Sequence, residues 1–149
     1  KYKNNLTIEF GSSSELMSWL LDKYSKSMKE KFFKGISISL FKNIYNQMKD
    51  DNRLLFFRVS KDGEPLSGLC IACHGSSATY LIGWTGEKGR NLKANHFQLW
   101  NVLKELKKIN IKSIDLGGID KDKTPGITEF KLGIGGQKYS IAGEGWKYN

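Results

Sequence analysis

The sequence is poor in cysteine, proline and long apolar runs, and each shortage excludes a class of protein. Two cysteines among 149 residues do not build a disulfide framework, so we expect a reducing compartment and a cytoplasmic location. Two prolines exclude a proline-rich or collagen-like chain. The longest apolar runs, such as LLFF at 54–57, are far shorter than the ~20 residues of a transmembrane helix. No apolar signal-peptide core is present either.

Arginine is also scarce, although the chain is basic. The formal net charge is +9, yet only three of the 24 cations are arginine. Proteins that read nucleic-acid bases favour the planar arginine fork, so the charge indicates a solvated surface first and attraction of an anionic ligand as the alternative. Hydrophobic residues make up 39% of the chain, which is enough for one domain with a core. We therefore expect residues 1–149 to form a single domain.

The first half of the chain predicts a strand, two helices and a three-stranded meander. Residues 6–10 alternate as a strand, and Ser12 followed by Glu15 forms a capping box for a helix. That helix repeats an apolar residue every fourth position, at Leu16, Leu20, Tyr24 and Met28. A second helix is predicted over 39–49. The three antiparallel strands that follow are expected at 53–59, 66–74 and 78–84, with turns at Asp62-Gly63 and 75–77.

The second half predicts a helical crossover to one more strand. After a polar loop at 85–91, apolar residues at a 3-4 spacing predict a helix from Leu92 to about Ile109, and 111–116 reads as a strand. Thr124 and Pro125 predict a short helix through 127–132, and weak alternation predicts strands at 138–142 and 146–148. The order β-α-α-β-β-β-α-β-α-β-β predicts an α/β fold, a mixed sheet with helices on both faces. This order matches the GNAT acyltransferase architecture.

Cysteine and histidine give weak signals for chemistry. Cys70 and Cys73 have C-x-x-C spacing, but the run is strand-like and no second pair completes a zinc site, so both are interpreted as small buried residues and no metal is expected. His96 falls on the apolar stripe of its helix, which favours packing over work as a general base.

The turn after the third meander strand bears on coenzyme A. A GNAT enzyme holds the CoA pyrophosphate there on backbone amides, with a pattern close to Arg/Gln-x-x-Gly-x-Gly/Ala. Residues 85–91 read TGEKGRN, so the glycines are displaced, and Glu87 adds a negative charge beside the phosphate position. The sequence therefore disfavours CoA binding.

Five short motifs follow one another between residues 80 and 136. They are YLIG at 80–83, GRNL at 89–92, NHFQLW at 95–100, IDLGGI at 114–119 and GITEFKLGIGG at 126–136. In this order they resemble the end of the second, C-terminal GNAT-like domain of the Fem family (FemA, FemB and FemX), aminoacyltransferases that build peptidoglycan interpeptide bridges. Ile134 departs from the pattern, because that family commonly has phenylalanine there.

The resemblance implies an aminoacyltransferase. The donor would be aminoacyl-tRNA, whose ester is already activated, and the acceptor an amine on a UDP-linked or lipid-linked muropeptide. No cofactor, metal or covalent enzyme intermediate is required. Family members carry two such domains in tandem, so the chain is expected to be the second half of a two-domain parent, working with another GNAT-like domain in cis or trans. A lipid-linked acceptor also implies peripheral contact with the inner face of the membrane.

Lys131 is the first candidate site residue under this resemblance. It lies in the short helix before a glycine-rich turn, where a cation and free backbone amides can face phosphate or an oxyanion. Gly135 and Gly136 of that turn are assigned to substrate binding. The plain alternative is a solvated lysine and two glycines that shape the backbone.

Three further residues complete the predicted site. Arg90 and Asn91 are expected to bind substrate, with Arg90 holding a carboxylate or phosphate. Asp115 is expected to orient the attacking amine or, equally, to cap the Gly-Gly turn that follows it. Trp84, Trp100 and Phe130 are interpreted as core residues.

Two other functions stay open. One is a GNAT-type N-acyltransferase that uses CoA or a carrier-protein thioester on a cell-envelope precursor. The other is a non-catalytic GNAT-like module that docks a partner domain or tRNA.

Overall fold

The computed structural model describes residues 5–119, 121–122 and 124–140, which form five strands and five helices. In chain order the elements are β1 (Leu6–Gly11), α1 (Ser14–Lys31), α2 (Ile38–Met48), β2 (Leu54–Lys61), β3 (Glu64–His74), β4 (Ser77–Thr85), α3 (Glu87–Asn91), α4 (Ala94–Lys108), β5 (Ser113–Asp115) and α5 (Pro125–Gly133). One 3-10 turn, Lys49–Asp51, follows α2. The chain divides into two compact units, Lys1–Gly117 and Gly118–Asn149.

The first unit is built on a mixed sheet in the order β1-β2-β3-β4-β5. The first four strands pair antiparallel, and β5 pairs parallel to β4 after the crossover through α3 and α4. Asp62 and Gly63, with φ of 50° and 79°, make the two-residue turn between β2 and β3. The predicted meander and crossover are therefore confirmed, as is the α/β fold class.

The two faces of the sheet have separate cores. Alternation along β2 directs Phe56 into a cluster with α1 and α2, where Leu20 and Phe41 are fully buried. Val59 points to the opposite face and packs with Ala94 of α4. The helices thus lie on both faces, and most of the stability of each helix comes from burying one apolar side.

α4 buries a different stripe from the one its apolar spacing predicts. The buried positions are Ala94, Gln98, Leu99, Val102 and Leu106. Gln98 is tolerated inside because its Nε2 donates to the Phe57 carbonyl oxygen at 3.0 Å. The stripe is rotated accordingly. His96 is only half-buried, and Trp100, which we expected in the core, is 64% exposed.

The second unit contains α5. Pro125 occupies its first turn after Thr124, where a missing N–H costs nothing, as the sequence predicts. Thr128 is buried, and its N–H donates to the Thr124 carbonyl at 3.0 Å. The helix ends at Gly133.

Four local predictions need correction or fall outside the described chain. The residue that caps α1 is Ser13 and not Ser12, because its Oγ accepts from the Leu16 N–H at 3.2 Å. The predicted loop 85–91 contains the helix α3. Residues 138–140 form no strand, and the predicted strand at 146–148 lies outside the described residues. No helix in the described ranges is both long enough and apolar enough to span a membrane.

Candidate active site

The pairing between β4 and β5 is short. Their pairing covers only three positions in the described chain, from Ser77 opposite Ser113 to Thr79 opposite Asp115. β4 continues to Thr85, so no described strand covers residues 80–85 on that side. A bulge at Leu81, where Cys70 faces Ile82 and Ile71 faces Tyr80, lies at the point where this pairing has ended and increases the local twist of β4. Within the described chain, residues 80–85 therefore form an open strand edge on the β5 side.

The end of this edge is closed by α3, which docks on β3. The Gly86 N–H donates to the Leu66 carbonyl at 3.0 Å, and a Cβ at Gly89 would overlap the same carbonyl oxygen. Leu66 is the extra residue of a bulge, since Val59 pairs with Ser67 while Ser60 pairs with Pro65. Gly89 is therefore required for the close approach of two main chains, whereas a Cβ at Gly86 would first meet the Trp84 ring, at 3.1 Å.

Arg90 and Asn91 lie in α3. The Arg90 Nη1 donates to the Thr85 carbonyl at 2.9 Å, so this guanidinium closes the turn between β4 and α3. A guanidinium has five N–H donors, and the exposed position leaves the group within reach of an incoming anion. Asn91 is the exposed last residue of the helix. Glu87 stands in the first turn of α3, also exposed.

Asp115 ends β5, and its carboxylate caps the turn that follows. Its Oδ1 accepts from the Gly117 N–H at 2.7 Å, and Gly117 has a φ of 76°, which favours glycine. This capping arrangement is one of the two roles predicted for Asp115. The role in orienting an amine stays a prediction.

Lys131 and its glycines lie together in the second unit. The half-buried Lys131 donates from Nζ to the Gly118 carbonyl at 2.8 Å, so its ammonium is held in place at the protein surface. Gly135 has a φ of 86°, and a Cβ at Gly136 would come within 2.9 Å of the Lys131 carbonyl oxygen. Both glycines shape the chain after α5. Phe130 beside them is half-buried.

One group of side chains on the α1 face of the sheet was not predicted from the sequence: the guanidinium of Arg58 and the indoles of Trp19 and Trp84. The Arg58 guanidinium lies 5.3 Å from the Trp19 ring and donates to Glu9 Oε2, while Trp19 meets Trp84 edge-on at 6.0 Å. Gly68 makes room for Trp19, because a Cβ there would come within 2.5 Å of the ring. The sequence does contain a signal for this group. Arg58 interrupts an otherwise apolar strand two positions after Phe56, so the two side chains lie on the same face of the sheet.

The titratable groups buried near β4 are held neutral. Burial raises the pKa of both thiols, Cys70 and Cys73, which are free and buried as predicted. Burial also raises the pKa of Tyr80 to about 12, and the nearby Cys70 and Tyr24 add to the effect. No cluster of three or more His, Cys, Asp or Glu side chains suited to a metal occurs in the described ranges. Nucleophilic catalysis by a thiolate has no support here.

A family profile described as an acetyltransferase (GNAT) domain matches residues 2–140. The chain belongs to the GNAT acetyltransferase family. Solved structures share this fold at low identity. An aminoglycoside acetyltransferase, meta-AAC0020, from an uncultured soil metagenomic sample and in complex with sisomicin has a TM-score of 0.72 at 11% identity, with 100% of both chains covered.

FemX is a second structural neighbour of this GNAT domain. Its TM-score is 0.70 at 19% identity, over 87% of this chain and 50% of FemX, so the chain spans half the length of that protein. A predicted acetyltransferase from Clostridium acetobutylicum, solved with acetyl-CoA, has a TM-score of 0.64 at 13% identity, covering 97% of this chain and 96% of that one. No curated protein sequence matches the chain significantly. FemX and the acetyltransferases thus share the fold of this GNAT domain.

Proposed function

We propose that this GNAT domain is the second half of a Fem-type aminoacyltransferase, which transfers an amino acid from aminoacyl-tRNA to an amine of a peptidoglycan precursor. The five ordered motifs support this proposal, as does the match to half of FemX. A second GNAT-like domain, in cis or in trans, would complete the acceptor site. The proposed localisation is the cytoplasm, at the inner face of the membrane when the acceptor is lipid-linked.

The turn between β4 and α3 carries the proposal. Both of its glycines are used to dock α3 against the Leu66 carbonyl, and Glu87 presents a carboxylate in the first turn of the helix. A pyrophosphate needs converging backbone donors and a positive potential at this point. Arg90 supplies a cation at this turn, but the Gly86 N–H is already donated to the Leu66 carbonyl, so the turn offers a CoA pyrophosphate fewer backbone donors than it needs. An aminoacyl ester on tRNA places no pyrophosphate there, so the same turn does not oppose it.

The proposed chemistry is aminolysis of an activated ester. The acceptor nitrogen forms a bond to the ester carbonyl carbon, and collapse of the tetrahedral oxyanion breaks the bond between this carbon and the ribose oxygen. The proton that the nitrogen loses is balanced by the proton that the leaving ribose oxygen gains as a hydroxyl. The protein must align the reactants and stabilise the oxyanion. Lys131, with Gly135 and Gly136 beside it, supplies positive charge toward the oxyanion or a substrate phosphate. Arg90 and Asn91 bind substrate, and Asp115 orients the amine.

A muropeptide titration with a lysine variant tests the proposal. Binding of a UDP-linked muropeptide to the chain is measured by calorimetry, and transfer from aminoacyl-tRNA is measured with a second GNAT-like domain supplied. We expect Lys131→Ala to weaken binding or transfer by about tenfold or more, because a charge-assisted contact is lost. Lys138→Ala is the matched control, since Lys138 is an exposed lysine of the same unit. Equal loss in both variants, or no loss in either, removes Lys131 from the site.

An N-acyltransferase that uses CoA or a carrier-protein thioester is the second candidate. The family profile and the aminoglycoside acetyltransferase neighbour favour it. A saturable heat of acetyl-CoA binding to the same chain would support this candidate and contradict the first. Absence of transfer with every donor, despite a bound second domain, would instead indicate a docking module.

A further inference from the structure

The residue that ends α1 is a phenylalanine in an unfavourable place. Phe32 has φ 52° and ψ 39°, the left-handed conformation that usually falls to glycine at a helix end, and its side chain is 94% exposed. A bulky residue with positive φ is uncommon. Because the ring of Phe32 is exposed, it also contributes no hydrophobic free energy to folding. Neither the backbone nor the packing of the isolated chain accounts for this residue. Such an outlier is grounds for a functional hypothesis.

The loop that carries Phe32 is anchored. Phe33 meets the buried Tyr24 edge-on at 6.0 Å, and a Cβ at Gly35 would overlap the Tyr24 hydroxyl. The Ile36 backbone also hydrogen-bonds to Tyr24. The loop is thus tied to the core through one tyrosine, while the neighbouring ring of Phe32 projects into solvent.

Exposed lysines lie close to Phe32 in the sequence. Lys29, Lys31 and Lys34 are exposed, and none of them forms an ion pair with a described residue. Glu30 is the one acidic residue between 29 and 34, so the segment KEKFFK has a formal charge of 3 − 1 = +2. An aromatic tip beside exposed lysines is the pattern of segments that enter the interface of an anionic bilayer.

We propose that the loop at residues 31–36 docks the protein on an anionic membrane surface, with the Phe32 ring inserted among the lipid headgroups. A protein partner is the competing occupant. Lysine is depleted in the buried centre of protein interfaces, whereas at a bilayer surface lysines beside an aromatic ring add to the attraction. This proposal does not rest on the aminoacyltransferase proposal, because it uses no residue of the candidate site.

Vesicle sedimentation of the full chain tests the membrane proposal. The probes are vesicles of phosphatidylcholine and phosphatidylglycerol in equal parts, and vesicles of phosphatidylcholine alone. We expect binding to the mixed vesicles, weakened about tenfold by Phe32→Gly and about fivefold for each of Lys29, Lys31 and Lys34 changed to Gln. Phe32→Trp should retain binding, because tryptophan suits the interface. Glycine fits the left-handed position, so the Phe32→Gly variant should fold normally.

Two matched control variants test whether vesicle binding depends on this loop or on nonspecific adsorption of exposed aromatic and basic side chains. Trp100→Ala removes another exposed aromatic on α4, which packs against the other face of the sheet, and Lys104, Lys107 and Lys112 changed to Gln remove three exposed lysines elsewhere. Both should bind like the original chain. The proposal is overturned if the chain does not bind mixed vesicles, if Phe32→Gly binds as well as the original, or if the control variants lose as much. Absence of vesicle binding together with Phe32-dependent association with another protein would assign the loop to that partner.

Discussion

The segment from β4 to α3 and the loop from α1 to α2 differ in how far internal packing explains their residues. In the first, Gly83 makes room for the Tyr80 hydroxyl and Gly89 for the Leu66 carbonyl, so internal packing dictates the residue. In the second, a glycine would suit the left-handed end of α1, yet the residue is the exposed Phe32. Internal packing thus explains the glycines of both segments, including Gly35 beside the Tyr24 hydroxyl, but it does not explain the exposed Phe32 at a left-handed position.

Adding a methyl group to the tightly packed segment from β4 to α3 should have the largest effect on stability. Gly89→Ala places a methyl group on the Leu66 carbonyl, so α3 must move away from β3, and we expect a loss of about 3 kcal/mol in the free energy of unfolding. Urea denaturation measures it. Gly11→Ala is the control, because nothing lies within 4 Å of a Cβ there. Similar midpoints for the two variants would show that α3 is not tightly docked.

A second test uses the pH dependence of the same segment. The pKa of Tyr80 is raised from 10.0 to about 12, because its hydroxyl is buried. A raised pKa in the folded state means that its contribution is fully present below pH 10 and is lost as the pH rises toward 12. We expect the unfolding free energy to fall by about 2 kcal/mol over this range, and Tyr80→Phe to flatten the profile. A Tyr80→Phe profile as steep as the original would contradict this assignment.

The smallest effect belongs to the projecting loop. Phe32→Gly relieves a left-handed phenylalanine and removes no buried contact, so we expect a gain of about 0.5 to 1 kcal/mol in the unfolding free energy. Thermal denaturation of both chains measures it. A clear loss of stability would mean that Phe32 packs in solution, and the contrast between the two segments would disappear.

The sheet could be predicted from the sequence because its signals are local. Alternation defines β2 to β4, and Asp62-Gly63 is a turn that requires positive φ at both positions. The 3-4 spacing of apolar residues predicts where α4 lies in the sequence, but it does not predict which side of the helix is buried. A polar residue, Gln98, sits inside because a carbonyl 41 positions away accepts its amide hydrogen, and no local pattern reports such a partner.

The misses share one physical cause, which is dependence on distant contacts. α3 has five residues, too few to show a period, and it is held by its approach to Leu66 on another strand. Ser13 rather than Ser12 caps α1, because the pairing of β1 extends to Gly11 opposite Phe56 and sets where the helix begins. Of the candidate site, the sequence predicts Asp115 at a turn and Arg90 in a loop, whereas Arg90 lies in α3. The hydrogen-bond partners of both residues depend on the folded geometry.

Because β5 pairs with only the first positions of β4, residues 80–85 present a strand edge that no other described strand occupies on that side. An extended strand edge offers the same alternation of donors and acceptors whatever side chains it bears. A guest with amide groups in its backbone can join such an edge as an added strand, recognised by its main chain alone. Selectivity for the ligand must then come from the side chains that flank the strand edge. A few substitutions around an unchanged strand can therefore adapt the fold to a new ligand.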